Sequence, residues 1–431
     1  MSVATSQVER VIAECRRVLA GNRQRGIAEW EGKPYDFVCP SPTTYPFQWW
    51  WDSAFIAIAL LHVDPELAKQ ELRCVLQGAR SDGFMPHMIL WEKSAHARAL
   101  ESVQPIRLAH PFYTATIQPP VIGRAIERVY QATRDAAFVR DVLPAVRRIF
   151  DWLDEVRDPD RDGLIAIIQP DESGLDASPK YDAAMDIPFD PPSETLPALE
   201  RSMYRLYDAY EGHSMREEPL QDMFLFEDVM VNSIYADSLR ALAAVCRAVG
   251  VDGAEILEAR RAKCVRALVA KCWDEKAGAF WDLSGKKEER VRTLTFSILF
   301  PLILPELDAS IARRLVQDHL LNEREFWLPY PVPSVAASEP SFDPEWKTDT
   351  TWRGPTWLNV NWYLYWGLRQ HGFDDVAHEL ARRSIEMVAR AGVREFFDPR
   401  TGEGEGARDF AWTTLVLDLI AAERGEQPPA A

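Results

Sequence analysis

Apolar residues recur at helical spacing along most of this chain, and no region alternates strand with helix. Val146, Ile149, Phe150 and Leu153 follow the i, i+3, i+4, i+7 pattern, entered through Pro144 near a first turn. Tyr235, Leu239, Leu242 and Cys246 form a second stripe, ended by Gly250, and Val376, Leu380, Met387 and Val388 a third, ended by Gly392. Further helices are expected over 8–19, 53–61, 65–76, 119–132, 254–272, 309–321, 355–368 and 410–422. Each stripe must be buried against another, so the expectation is an all-α protein.

Between helices one loop type recurs: an acidic turn, a glycine, then an apolar residue. It appears at 80–84, 158–164 and 273–280, and more loosely at 398–402. Roughly twelve helices in pairs, with irregular loops at one end, describe an (α/α)6 toroid better than a bundle or solenoid. Segments 168–197 and 330–352 are long, weakly periodic and rich in Pro, Ser and Asp. Loops of that length are usually functional, and these are expected to cap an active site. No linker is visible, so residues 1–431 read as one catalytic domain.

With 66 acidic against 49 basic residues the net charge is −17, which makes nucleic acid and anionic membranes poor partners. The six cysteines are scattered without a CxxC pair, and the eight histidines form no HxxxH or HExxH pair, so neither metal nor cofactor is expected. The first 22 residues carry no apolar signal core, and the runs near 55–61 and 296–304 are short for a membrane span. A soluble cytoplasmic protein is the expectation, with a homo-oligomer left open.

Three segments carry candidate chemistry. Gln48-Trp49-Trp50-Trp51-Asp52 places three indoles beside a carboxylate. Adjacent side chains point in different directions, so some indole surface should line a concavity, where rings stack on sugar C–H faces. The competing reading anchors a helix start, with Asp52 as N-cap before Ser53. Asp171-Glu172-Ser173-Gly174-Leu175-Asp176 holds three carboxylates around a glycine that permits a tight path. Glu395 precedes Phe396 and Phe397, while Glu403 and Glu405 alternate with glycines in what reads as a mobile turn. Paired carboxylates from distant loops are what glycosidic hydrolysis uses, although solvated acidic turns have the same composition. Trp352-Arg353-Gly354-Pro355-Thr356-Trp357 offers a polyol-binding wall, with Pro355 fitting a helix N1 position and Arg353 suited to a structural ion pair. Of the histidines, His87 is the one candidate contact.

In this order, Trp50-Trp51-Asp52-Ser53-Ala54-Phe55, Glu172 to Pro179, Trp352 to Trp357, Glu395-Phe396-Phe397-Asp398 and Phe410-Ala411-Trp412-Thr413 resemble glycoside hydrolase family 63 and its trehalase relatives. The resemblance spans about Tyr45 to Ile420. Thr116 to Pro120 and Pro331 to Ala336 look like the compact bacterial mannosylglycerate and glucosylglycerate hydrolases of that family. It implies an (α/α)6 toroid cleaving α-glycosidic bonds with inversion, with Asp176 as general acid and Glu395 as general base. Tyr45, Trp49 and Asp52 would hold the sugar, and Gln118, Trp352 and Trp357 would complete the walls, with Trp91, Gly174, Tyr207 and Glu403 as further contacts. The chain departs from the pattern at Trp91 and Thr351, where tyrosine is more typical, and at Phe410, which supplies no polar group.

The expected substrate is a small glycoside with a glycerate leaving group. An anion needs a local cation, and Arg201, Tyr204 and Arg205 share one face of a helix following the Asp176 loop, although pairing of these arginines with Glu200 or Glu211 on a solvated surface fits the same spacing. Alternatives are a trehalase or α-glucosidase on a small neutral disaccharide, and a carbohydrate-binding protein that has lost the chemistry.

Overall fold

A computed structural model of the chain describes residues 5–92, 108–210 and 224–426. Helix dominates, and the helices divide by how they are buried. All of Trp50–Leu60 and most of Val229–Val249 and Leu358–Gln370 are buried. Thr5–Gly21, Pro65–Leu76, Ala136–Val156 and Asp374–Ala391 instead bury one stripe each. A helix apolar on all sides belongs inside, and an amphipathic one belongs around it.

The packing follows that division. Trp50–Leu60 lies against Ile122–Thr133, which lies against Val229–Val249, then the 3-10 segment Phe296–Ile303, then Leu358–Gln370, then Ala411–Leu415, which returns to Trp50–Leu60. Among the described residues these six segments close a ring. Thr5–Gly21, Pro65–Leu76, Ala136–Val156, Ala254–Ala267 and Asp374–Ala391 pack outside it. One apolar core runs from Val11 to Ile420, beside a small cluster of Phe47, Met88 and Leu90. Val229–Val249 is long and apolar enough to cross a membrane, but 89% of its most apolar window is buried inside the protein. All six cysteines are buried and unbridged.

Several local expectations are corrected. Pro144 lies inside Ala136–Val156, whose true cap is Asp135, accepting from the Phe138 N–H at 2.9 Å. Pro355 does not open a helix, because Thr356 is held extended by bridges to Pro333 and Phe397, and the helix starts at Leu358. Asp52 is not an N-cap: Trp50–Leu60 starts two residues earlier, with Trp49 extended before it. The glycine-rich stretch around Glu405 is no open turn but the strand Gly404–Arg408, paired antiparallel with Arg394–Phe397. The recurrent loops do share a conformation, since Gly83, Gly163, Gly278 and Gly402 all have positive φ.

Candidate active site

Strand Gln48–Trp49, paired with Met88–Ile89, runs straight into the Trp50–Leu60 helix and sets the three indoles on different bearings. Trp50 is wholly buried, whereas Trp49 and Trp51 reach a cavity of about 940 Å³, counting its open mouth. The side chain of Gln118 accepts from the Trp51 N–H at 3.1 Å, so it satisfies a backbone donor that a helix start leaves free. The cavity is lined by Tyr45, Trp49, Asp52, Gln118, Gly174, Asp176, Trp352, Trp357 and Glu395, all expected from the sequence.

The three acids of the 171–176 segment take separate directions. Glu172 turns inward with no exposed surface, and both its oxygens bind Arg157, Nη2 to Oε1 at 2.6 Å. It also accepts from the N–H groups of Ile117 at 3.1 Å and Ile168 at 2.9 Å. This buried pair anchors the loop root. Gly174 has φ +70, and any β-carbon there would run into the Trp51 indole. Gly174→Ala should therefore cost roughly 1–2 kcal/mol of backbone strain and displace Asp176 or Trp51. Thermal melting together with kcat/KM would read both effects.

Asp176 comes out into the cavity. Burial lifts its carboxyl to about 6, partly offset by hydrogen bonds from its own backbone and from the Trp352 indole. Trp352 stacks on Trp357 with ring centroids 3.7 Å apart. Arg353 pairs with Asp182 at 2.8 and 2.5 Å, which makes it the structural ion-pair partner anticipated.

Glu395 approaches from another direction, on the strand Arg394–Phe397. Its Oε2 accepts from the Ala407 N–H at 2.7 Å, and the facing Gly406 leaves it room. Burial pushes its carboxyl up to about 7, opposed by the Ala407 and Tyr45 hydrogen bonds and reinforced by the Asp176 charge. Asp52 is likewise raised well above the carboxylate range, chiefly by burial. With Asp171, which burial also raises, four poorly solvated carboxyl groups share one cavity, which favours holding protons among them near neutral pH. The indole N–H groups of Trp49, Trp357 and Trp412 have no hydrogen-bond partner among the described residues, leaving capacity for a polyol.

Four expected contacts do not line the cavity. Trp91 is buried behind it, donating to Gln48 Oε1 at 3.0 Å and stacking on Trp30 and Tyr35. Tyr207 is buried and donates to Asp171, so it meets the cavity only through that carboxylate. Glu403 is exposed on the hairpin. Arg201 is exposed as well, because the helix Thr195–Tyr210 turns Met203, Leu206 and Tyr207 inward. The apolar stripe outcompetes the arginine face, since burying a guanidinium costs far more than burying methionine and leucine. Among the described residues, no lysine or arginine lines the cavity.

Pro40, Trp51, Asp171, Met203 and Trp412 line the cavity without having been picked out individually. Asp171 and Trp412 stood inside segments already singled out, whereas nothing local marks Pro40 or Met203. His87 does line the cavity, and burial lowers its pKa to about 3, so it is neutral and bonded to Thr116 Oγ1 at 2.5 Å.

Residues 45–413 match the family model of the mannosylglycerate hydrolase MGH1-like glycoside hydrolase domain. A mannosylglycerate hydrolase of Thermus thermophilus is 32% identical over 88% of this chain and 95% of its own length. The glucosylglycerate hydrolase of Mycolicibacterium hassiacum is 26% identical over 88% and 93%. The crystal structure of a mannosylglycerate hydrolase from a second Thermus thermophilus strain, with Tris and D-glycerate, superposes with TM-score 0.82 at 29% identity, covering 95% of this chain and 99% of that one. With so much of the chain matched, and a cavity set with acids and indoles at its centre, the protein belongs to the MGH1-like family of glycoside hydrolases and is a glycosidase.

Proposed function

We propose that this chain hydrolyses a small α-glycoside of glycerate, glucosylglycerate or mannosylglycerate, with inversion, releasing free sugar and glycerate. Asp176 protonates the departing glycosidic oxygen, and Glu395 takes a proton from the water that attacks the opposite face. Asp52, Tyr45, Gln118 and the indoles of Trp49, Trp352 and Trp357 hold the sugar, and Gly174 gives the acid loop its close path past Trp51. The closed ring of six segments supports a single (α/α)6 catalytic domain over 1–431, with 168–197 and 330–352 as the cap over the sugar. Six unbridged cysteines suit a reducing, cytoplasmic setting.

The observation that carries this reading is the meeting of Asp176 and Glu395, far apart in sequence, in one indole-walled cavity where burial raises both carboxyls. Glu395 lies the higher of the two, and part of that elevation is repulsion from an ionised Asp176. The single proton of the pair therefore rests mostly on Glu395, and the form inversion needs, with Asp176 protonated and Glu395 ionised, is the minor tautomer of the singly protonated pair.

The pH dependence follows from the sign of each limb. Below about 6 the pair is doubly protonated, so no base is left and activity falls; above about 7 it is doubly ionised, so no acid is left and activity falls again. A narrow bell in kcat/KM near neutrality is expected, and a profile flat from pH 5 to pH 9 would contradict the two-carboxyl scheme. Proton NMR at the first turnovers should show the β-anomer of the sugar; initial release of the α-anomer removes inversion.

The absence of a cation among the described lining residues favours a second reading, a neutral disaccharide such as trehalose or kojibiose. A release assay with glucosylglycerate, mannosylglycerate, trehalose and kojibiose separates the two, and no release from any of them favours a binding protein.

A further inference from the structure

We infer that the loop closing the Ala136–Val156 helix, together with Glu227 and Glu288, forms a calcium-binding site outside the glycosidase cavity. Asp158-Pro159-Asp160-Arg161-Asp162-Gly163 places acids at alternate positions before a glycine. By itself this is a surface turn. Asp160 accepts from the Asp162 N–H at 3.4 Å, Asp162 accepts from the Leu164 N–H at 2.7 Å, and Asp158 is engaged with Gly163 and Lys263.

Distant chain makes it more than a turn. Strand Phe226–Glu227 pairs with Asp282–Ser284, and the turn from there into Glu289–Val291 carries Glu288. One carboxylate oxygen from each of Asp160, Asp162, Glu227 and Glu288 lies within 4.8 Å of the others. Glu227 is 5% exposed, and its Oε2 is buried without a hydrogen-bond partner among the described residues. Leaving a buried carboxylate oxygen unpaired is costly, and a site that supplies its partner removes the penalty.

Lys271 is one counter-charge, reaching Asp162 Oδ2 at 2.5 Å and Glu288 Oε1 at 2.7 Å. Burial and the neighbouring acids push Glu227 up to about 9, so without an ion it keeps a proton, and the other three carboxylates still outweigh the one ammonium in a small, part-buried volume. An all-oxygen set on turns and strand ends suits calcium, which accepts six to eight oxygens in irregular geometry. The soft or imidazole ligands preferred by zinc are missing from the group. Lys271 is part-exposed, so its flexible stem can withdraw as the ion enters.

The ion would tie the helix-end loop to a strand that also supports the acid loop. Phe226 exchanges backbone hydrogen bonds with Ile167 at 2.9 and 3.0 Å, and the chain runs on from there to Asp171 and Asp176. None of the four ligands lines the cavity, so the role is bracing rather than chemistry.

The test uses the full chain, stripped with a chelator and desalted, then titrated with calcium chloride under scanning calorimetry. A saturable Tm rise of roughly 3 °C is expected, with magnesium giving much less. Glu227→Gln and the exposed Asp160→Asn should each abolish it. No rise up to about 10 mM calcium, above the weak end of calcium-loop affinities, overturns the site. So does a rise that persists in both variants, or an equal rise with magnesium. These outcomes are independent of which glycoside is cleaved.

Discussion

Asp176→Asn and Glu395→Gln should each lower kcat by roughly 10²–10⁴-fold, the range general acid–base catalysis supplies, while Tm stays close to that of the parent. The two losses should differ in kind. Removing an acid that protonates the leaving group matters least when the leaving group departs without help. Asp176→Asn should therefore recover most of its activity on an α-glycosyl fluoride, and Glu395→Gln should not, because it still lacks the group that activates water. The reverse pattern would exchange the two roles. Glu403→Gln should turn over at near the parent rate, since Glu403 is exposed on the hairpin and outside the cavity lining.

The largest effect on stability is expected at Glu172→Gln. Glu172 and Arg157 are 0% and 2% exposed, and the carboxylate also takes two backbone N–H bonds from separate segments. An amide keeps the shape but leaves the Arg157 charge buried without its partner. Breaking such a pair from one side typically costs about 3–5 kcal/mol. Urea denaturation should show that loss as a lower midpoint at unchanged slope. A loss below about 1 kcal/mol would mean that water or another acid takes over the guanidinium. Arg157→Met in the Glu172→Gln background should recover part of the stability, because it removes the orphaned charge.

Much of the candidate site was legible because its residues sit in short, chemically unusual segments. The triple indole ending on Asp52, the acids around Gly174 and the glutamate before two phenylalanines all deliver residues to one cavity. The misreadings share a cause. Arg201, Tyr204 and Arg205 do lie close together on their helix, but helical spacing says which residues share a face, not which face turns inward. The resemblance alone makes Trp91 a contact, and only the fold shows its N–H turned to Gln48. Motif spacing likewise cannot register that Glu227 and Glu288 come together with a loop far from them in the chain.

What the sequence determined by itself was the helical class, through a periodicity that any fold must bury, and the segments that carry acids and indoles. Only the tertiary structure decided which of three neighbouring carboxylates became structural: Glu172 was drawn inward by Arg157, while Asp171 and Asp176 were left facing the cavity. Local sequence fixes backbone preference and side-chain type within a few residues. The direction of a side chain, its partner and the loss of its water depend on segments far along the chain, and those settle whether a carboxylate anchors a loop or faces a substrate.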